Sequence, residues 1–300
     1  MKKILLTLLA GTLAITGSLA GNFSNSYQLR DFTGIRASSV FNIQLAPSSQ
    51  YQVSVEAPDY LEPYLIVRVE NGQLVLRLES LPKSVERQLS RESSDAVRAE
   101  VRMPRLESLS LSGAAKLNAE GTFPTLQRPF RIDLSGASKA KGLSLSATLA
   151  DISLSGATEM GLRGKFGSVD IDASGASLAK LGIETTTVDA ELSGSARVDL
   201  DGTITGASLE ASGASRADIK SAATLSSLNI EGSGAASIDT RAARAQDISV
   251  ELSGASNCKV SVIRRLDVEA SGASTCLYEA GPDARINPIQ VARGASLRKL

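Results

Sequence analysis

Apolar and polar positions alternate in short bursts along this chain, and the bursts recur. Ile132 and Leu134 bracket Asp133, Ile152 and Leu154 bracket Ser153, and Val250 and Leu252 bracket Glu251. Alternation with a period of two places every second side chain on one face, so each burst predicts a strand with one buried side. Directly after each burst the chain reads Ser-Gly-Ala-Ser or a close variant, with the glycine two residues on. The glycines of this motif are Gly113, Gly136, Gly156, Gly175, Gly194, Gly213, Gly234, Gly254, Gly272 and Gly294. Their spacings are 23, 20, 19, 19, 19, 21, 20, 18 and 22 residues, a sustained period that chance does not produce.

A second apolar column stands four residues after each glycine: Leu117, Ala140, Met160, Ala179, Val198, Ala217, Ile238, Cys258 and Cys276. It continues two residues later at Leu162, Leu181, Leu200, Ile219 and Val260. A third, weaker strand is expected near Ile183, Ile204 and Val262. Two or three short strands per ~20 residues, with no helical period, predict a right-handed parallel β-helix of about ten coils. Coils stacked at ~4.8 Å would make a rod roughly 45–50 Å long. A leucine-rich repeat shares the period, but it closes each turn with Asn, and here Gly-Ala stands in that place. The motif itself has a structural explanation. Gly admits a positive φ or a close backbone approach at a sharp turn, Ala is small enough to stack on its copy, and Ser can hydrogen-bond at the bend.

The amino-terminal third lacks the motif but alternates at Phe41–Leu45, Tyr51–Val55 and Leu74–Leu78. Asn71-Gly72 predicts a hairpin turn, Pro58 to Tyr64 a single helical turn, and charged residues 82–98 an exposed loop. Residues 21–105 are expected to form a β-rich cap with the first irregular coils, continuous with a repeat helix over 106–300. Open solenoid ends expose strand edges and core, so a cap is needed.

Composition adds three constraints. Lys2 and Lys3, the apolar run Ile4–Ile15 and Ser18-Leu19-Ala20 predict a signal peptide over 1–20. The apolar run is short for a membrane anchor. Removing it leaves 30 basic and 32 acidic residues, since two of the 32 Lys and Arg are lost. A charge of −2 excludes a strongly basic nucleic-acid binder. Finally, there is no His and no Trp, and aromatics make up only 4%.

Stacking turns each repeat position into a column. Three residues before the glycines stand Asp172, Glu191, Glu210, Glu231, Glu251 and Glu269, an acidic ladder on the outward face. Such a ladder repels itself. It could recruit Ca²⁺, or it is a solvated stripe that keeps the sheet soluble. Three residues after the glycines, Lys116, Lys139, Arg197 and Arg216 form a broken basic column beside Glu159 and Leu178. It would pair weakly with the acidic one or touch anionic glycans. Cys258 and Cys276 share an inward column in adjacent coils, where their Cα spacing permits a disulfide and free thiols also pack well. With no His as a base, and carboxylates in a line rather than a cluster, no catalytic residue is assigned. No cofactor is implied.

Phe32-Thr33-Gly34-Ile35-Arg36-Ala37-Ser38-Ser39-Val40-Phe41-Asn42-Ile43-Gln44-Leu45, continued by Tyr51–Ala57 and by the repeated Ile-Asp-Leu-Ser-Gly-Ala-Ser strands, resembles the head GIN domain family (DUF2807, auto-transporter adhesins). The resemblance spans the chain from about Tyr27 onward. It implies an exported bacterial β-helix, common in the Bacteroidetes group, with no catalytic residues to carry over. These coils are more regular and more Ala-rich than is typical of the family, and no membrane-barrel translocator is expected in this chain. The expected function is a binding or adhesion module of the envelope or surface, acting on a glycan or a surface protein. A structural spacer and a polysaccharide-acting enzyme are the alternatives. Its location is expected to be periplasmic, cell-surface or secreted, and its oligomeric state is left open.

Overall fold

The computed structural model describes residues 21–92 and 95–300; the signal-peptide expectation for 1–20 lies outside them. Their strands join one continuous sheet wound into a parallel β-helix of about ten coils. The register repeats from coil to coil. Ile132, Ile152, Ile171, Ala190, Leu209, Ile230, Val250 and Val268 are successive cross-strand partners, and all are buried. Their outward neighbours are mostly polar, so the period-two alternation becomes a dry interior and a wet wall.

Coil length decides how the strand runs. The three 19-residue coils hold unbroken strands at Glu159–Ala173, Leu178–Leu192 and Arg197–Ala211. The 18-residue coil is likewise unbroken, as Asn257–Ala270. The expected third strand at Ile183, Ile204 and Val262 is therefore not separate; it is the middle of one continuous strand. A coil of twenty residues or more must loop out the surplus, and this splits the strand. Arg216–Ser221 and Leu225–Gly232 share one such coil, Ser237–Asp239 and Ala245–Leu252 the next.

At every motif the chain turns sharply with glycine at positive φ, from 66° at Gly113 to 79° at Gly156 and 106° at Gly294. From Gly136 to Gly272 the residue after the motif glycine donates its N–H to the glycine carbonyl one coil earlier, as Ala137 does to Gly113 and Ala214 to Gly194, both at 2.7 Å. A side chain here would collide with that neighbour. A Cβ on Gly213 would lie 2.7 Å from the Gly194 oxygen. The serine after the glycine can close its own bend, as Ser256 and Ser274 do by donating to the Ser253 and Ser271 carbonyls at 2.8 Å, whereas the serine before the glycine bonds across coils. Ser212 Oγ donates to the Leu192 carbonyl at 3.3 Å, as Ser174 Oγ does to that of Leu154.

The amino-terminal third interleaves with the stack. Gly34–Ala37 and Phe41–Pro47 form a true coil, with Ser39 in the glycine position at φ 68°. Ala114 donates to the Ser39 carbonyl at 2.7 Å, so the turn ladder begins there. Yet this coil is second in the stack. Gln73–Leu78 and Val97–Met103 lie outside it, while Ser108–Leu111 and Lys116–Ala119 follow it inside. Antiparallel strands then close the end. Leu65–Glu70 pairs with Gln73–Leu78 through the Asn71-Gly72 hairpin, whose central residues both have positive φ. Gln52–Pro58 pairs with Val97–Met103, and Asn22–Tyr27 pairs with Gln52–Pro58. The turn at Asp59–Tyr64 is a 3-10 helix that buries Leu61 completely. Part of the expected loop at 82–98 is instead an α-helix, Lys83–Leu89. Its Val85 and Leu89, spaced i, i+4, pack against the cap, a short amphipathic signal hidden among charges.

Candidate functional site

The acidic ladder is continuous. Asp172, Glu191, Glu210, Glu231, Glu251 and Glu269 are direct cross-strand partners over five successive steps. All six are exposed. They project because each sits between two inward apolar positions of its strand, as Glu251 does between Val250 and Leu252. Ser153 precedes the ladder and Gln290 ends it. With the neighbouring motif serines Ser193, Ser212, Ser233, Ser253 and Ser271, these carboxylates line a shallow open groove of about 520 Å³. The groove runs along the rod, and its donors and acceptors repeat at the coil spacing of ~4.8 Å.

A second acidic column, missed by reading the ladder position alone, lies two residues earlier on the same face. Asp151, Asp170 and Asp189 are successive partners. Partial burial first, then the charges of Asp189 and Asp151, push the Asp170 carboxyl above its usual range. The signal was present in the sequence as aspartate five residues before three consecutive motif glycines.

The basic column behaves differently from the expectation that it would pair with the ladder. It is neutralised on its own face. Lys139 and Lys141 reach Glu159 at 3.3 and 3.0 Å and hold its carboxyl below the usual range, the Lys141 hydrogen bond contributing most. Arg197 reaches Asp199 at 2.7 Å and Asp218 at 3.3 Å, and Arg216 reaches Asp218 at 2.7 Å. Lys116 lies 3.8 Å from Asp95. The physical reason is strand geometry. Residues i and i+2 share a face of one strand, whereas the ladder lies around the glycine bend.

Cys258 and Cys276 stand directly opposite each other in adjacent coils. Both are fully buried and carry free thiols. Ile238 precedes them in the column and Leu297 follows. The hydrogen bond to Cys276 and then burial push the Cys258 thiol well up. The turn glycines, the remaining sequence-predicted positions, are the scaffold that repeats the face. Among the described residues, no three His, Cys, Asp or Glu side chains converge to hold a metal ion. No helix among them is long and apolar enough to cross a membrane.

The sequence profile of the family described as "Putative auto-transporter adhesin, head GIN domain" matches residues 31–201 and 179–282. Among solved structures, the fold is similar to a "putative adhesin" from Parabacteroides merdae, at 12% identity and TM-score 0.53 over 94% of this chain and 97% of that chain. It is similar to a "putative adhesin" from Parabacteroides distasonis, at 13% identity and TM-score 0.54 over 92% and 96%. It is also similar to a "putative lipid binding protein" from Parabacteroides distasonis, at 15% identity and TM-score 0.52 over 94% and 97%. At these identities the likeness is one of fold alone. No curated protein matches the sequence.

Proposed function

This chain belongs to the family described as "Putative auto-transporter adhesin, head GIN domain", and from that premise we propose that it is an exported, non-catalytic binding module of the bacterial envelope or surface. The carrying observation is the in-register groove of exposed carboxylates from Asp172 to Glu269. Carboxylates accept hydrogen bonds, so the face fits a ligand rich in donors: the hydroxyls of a neutral glycan, or the Lys and Arg side chains of a surface protein. Anionic ligands are disfavoured, because the basic side chains on the neighbouring face are occupied by Glu159, Asp199 and Asp218. A lipid reading draws no support from a groove walled by carboxylates and serines. Catalysis lacks a paired acid and base in distinct environments; the ladder repeats one environment.

Two measurements test the reading. Protease treatment of intact cells should cleave the protein if it is displayed; full protection beside digestion in lysed cells would remove surface adhesion. Binding to immobilised neutral glycans and to matrix proteins should fall more than tenfold in the Glu191→Gln, Glu210→Gln, Glu231→Gln, Glu251→Gln variant. Equal binding by that variant would move the site off this face.

A further inference from the structure

The buried core of the rod stops at one residue. Cys276 is fully buried, and no residue from 277 to 300 is. The coil beyond it is held on one edge only: Arg285–Val291 pairs with Asn257–Ala270, and Ser296–Lys299 pairs with Thr275–Ala280. Ile289, Val291 and Leu300 are exposed there. At this boundary the two cysteines of the chain lie side by side, one per coil, in a single inward column. In-register strands put their Cα atoms ~4.8 Å apart, inside the range a disulfide spans.

We propose that Cys258 and Cys276 close into a disulfide in an oxidising compartment, stapling the last two buried coils where apolar packing ends. The setting rests on the export reading above; the geometry does not. The oxidant is a small-molecule disulfide or a dithiol–disulfide oxidoreductase. Cys276 Sγ, deprotonated, attacks the oxidant's disulfide, forming a mixed disulfide and expelling one thiolate. Cys258 Sγ, deprotonated, then attacks Cys276 Sγ and expels the second thiolate. The two thiolates take up the two protons, so the oxidant gains two electrons and the cysteines lose them.

Access sets the order. Cys276 is shielded by the weakly held last coil through Leu297, its register partner. Cys258 is shielded by a complete coil on either side. In the closed state the hydrogen bond to Cys276 and then burial keep the Cys258 thiol protonated, and both sulfurs are shut off from solvent, so reaction waits for the last coil to open.

The test oxidises the purified protein with oxidised glutathione and counts thiols after denaturation. The expected result is a fall from two labelled thiols to none, with the chain still monomeric. Hydrogen exchange of amides in 257–280 should slow by roughly 100-fold, the protection expected for closing a loop of this length. Leu297→Asp, which loosens the last coil, should oxidise faster, and the Cys258→Ala and Cys276→Ala variants should exchange like the reduced protein. Two thiols still labelled, cross-linked dimers, or unchanged exchange in the oxidised protein would each overturn the staple. Acid-quenched alkylation in expressing cells separates the two readings. A bond formed in vitro with both thiols reduced in cells supports the geometry and counts against the oxidising location. Thiols oxidised in both confirm the staple in its setting.

Discussion

At the amino-terminal end, Phe32, Phe41, Leu61, Met103 and Leu106 are fully buried beneath antiparallel strands, a 3-10 turn and a short helix. At the carboxy-terminal end, no side chain after residue 276 is fully buried, and the final strands leave an open edge. Phe32, Phe41 and Phe130 are wholly buried, and no aromatic side chain beyond Phe130 is. The difference teaches where a solenoid concentrates its stability. Interior coils are covered by their neighbours and are built from aliphatic side chains, Leu, Ile, Val and Ala. An end has a neighbour on one side only and must supply its own cover. The open end instead carries devices that blunt strand addition: Pro288, which lacks an N–H, a bulge opposite Val268 and Glu269, and charges at Arg285, Arg298 and Lys299.

The largest expected effect is at the cap. Phe41→Ala should destabilise the protein by about 3–5 kcal/mol in denaturant titration, against about 1 kcal/mol or less for Leu297→Ala in the half-covered last coil. Equal losses would break the contrast between the ends.

The turn ladder offers a comparison between regular and irregular coils. Gly213→Val forces a branched side chain at φ 69° with its Cβ 2.7 Å from the Gly194 oxygen. It should destabilise by more than ~1 kcal/mol, and an unchanged melting temperature would remove this account of the glycines. The mirror experiment is Ser39→Gly. Ser39 holds φ 68° without being glycine, so the change should stabilise by about 0.5–1 kcal/mol despite the added chain entropy.

The smallest effects are electrostatic and have opposite signs on the two faces. Asp170 titrates above its usual value through burial and then its aspartate neighbours. A raised carboxyl weakens the fold while ionised, and that penalty fades as pH falls through the folded pKa. Asp170→Asn should therefore stabilise slightly at pH 7, with the gain lost near pH 3 and in high salt. Asp239 is held below its usual value, first by the Arg241 hydrogen bond. Its contribution is present above the unfolded pKa and is lost as pH falls through the lowered one. Asp239→Asn should therefore weaken the protein at pH 7 and leave it unchanged in strong acid. The same pH profile for both variants would erase the difference between the faces.

The sequence by itself determined the repeat. Positive-φ glycines, period-two columns and the ladder from Asp172 to Glu269 are one-dimensional regularities, and stacking preserves them because each coil pairs with the next in register. The cysteine juxtaposition was legible for the same reason. Only the tertiary structure decided what depends on order in space rather than order in the chain. It placed the 34–47 coil inside the later strands 73–78 and 97–103. It turned the 83–89 segment into a covering helix, and it drew Arg197 and Arg216 to aspartates on their own face instead of to the ladder. A local period specifies how neighbouring coils meet. It carries no information about which distant segment covers an end, or which of several nearby charges a flexible side chain selects.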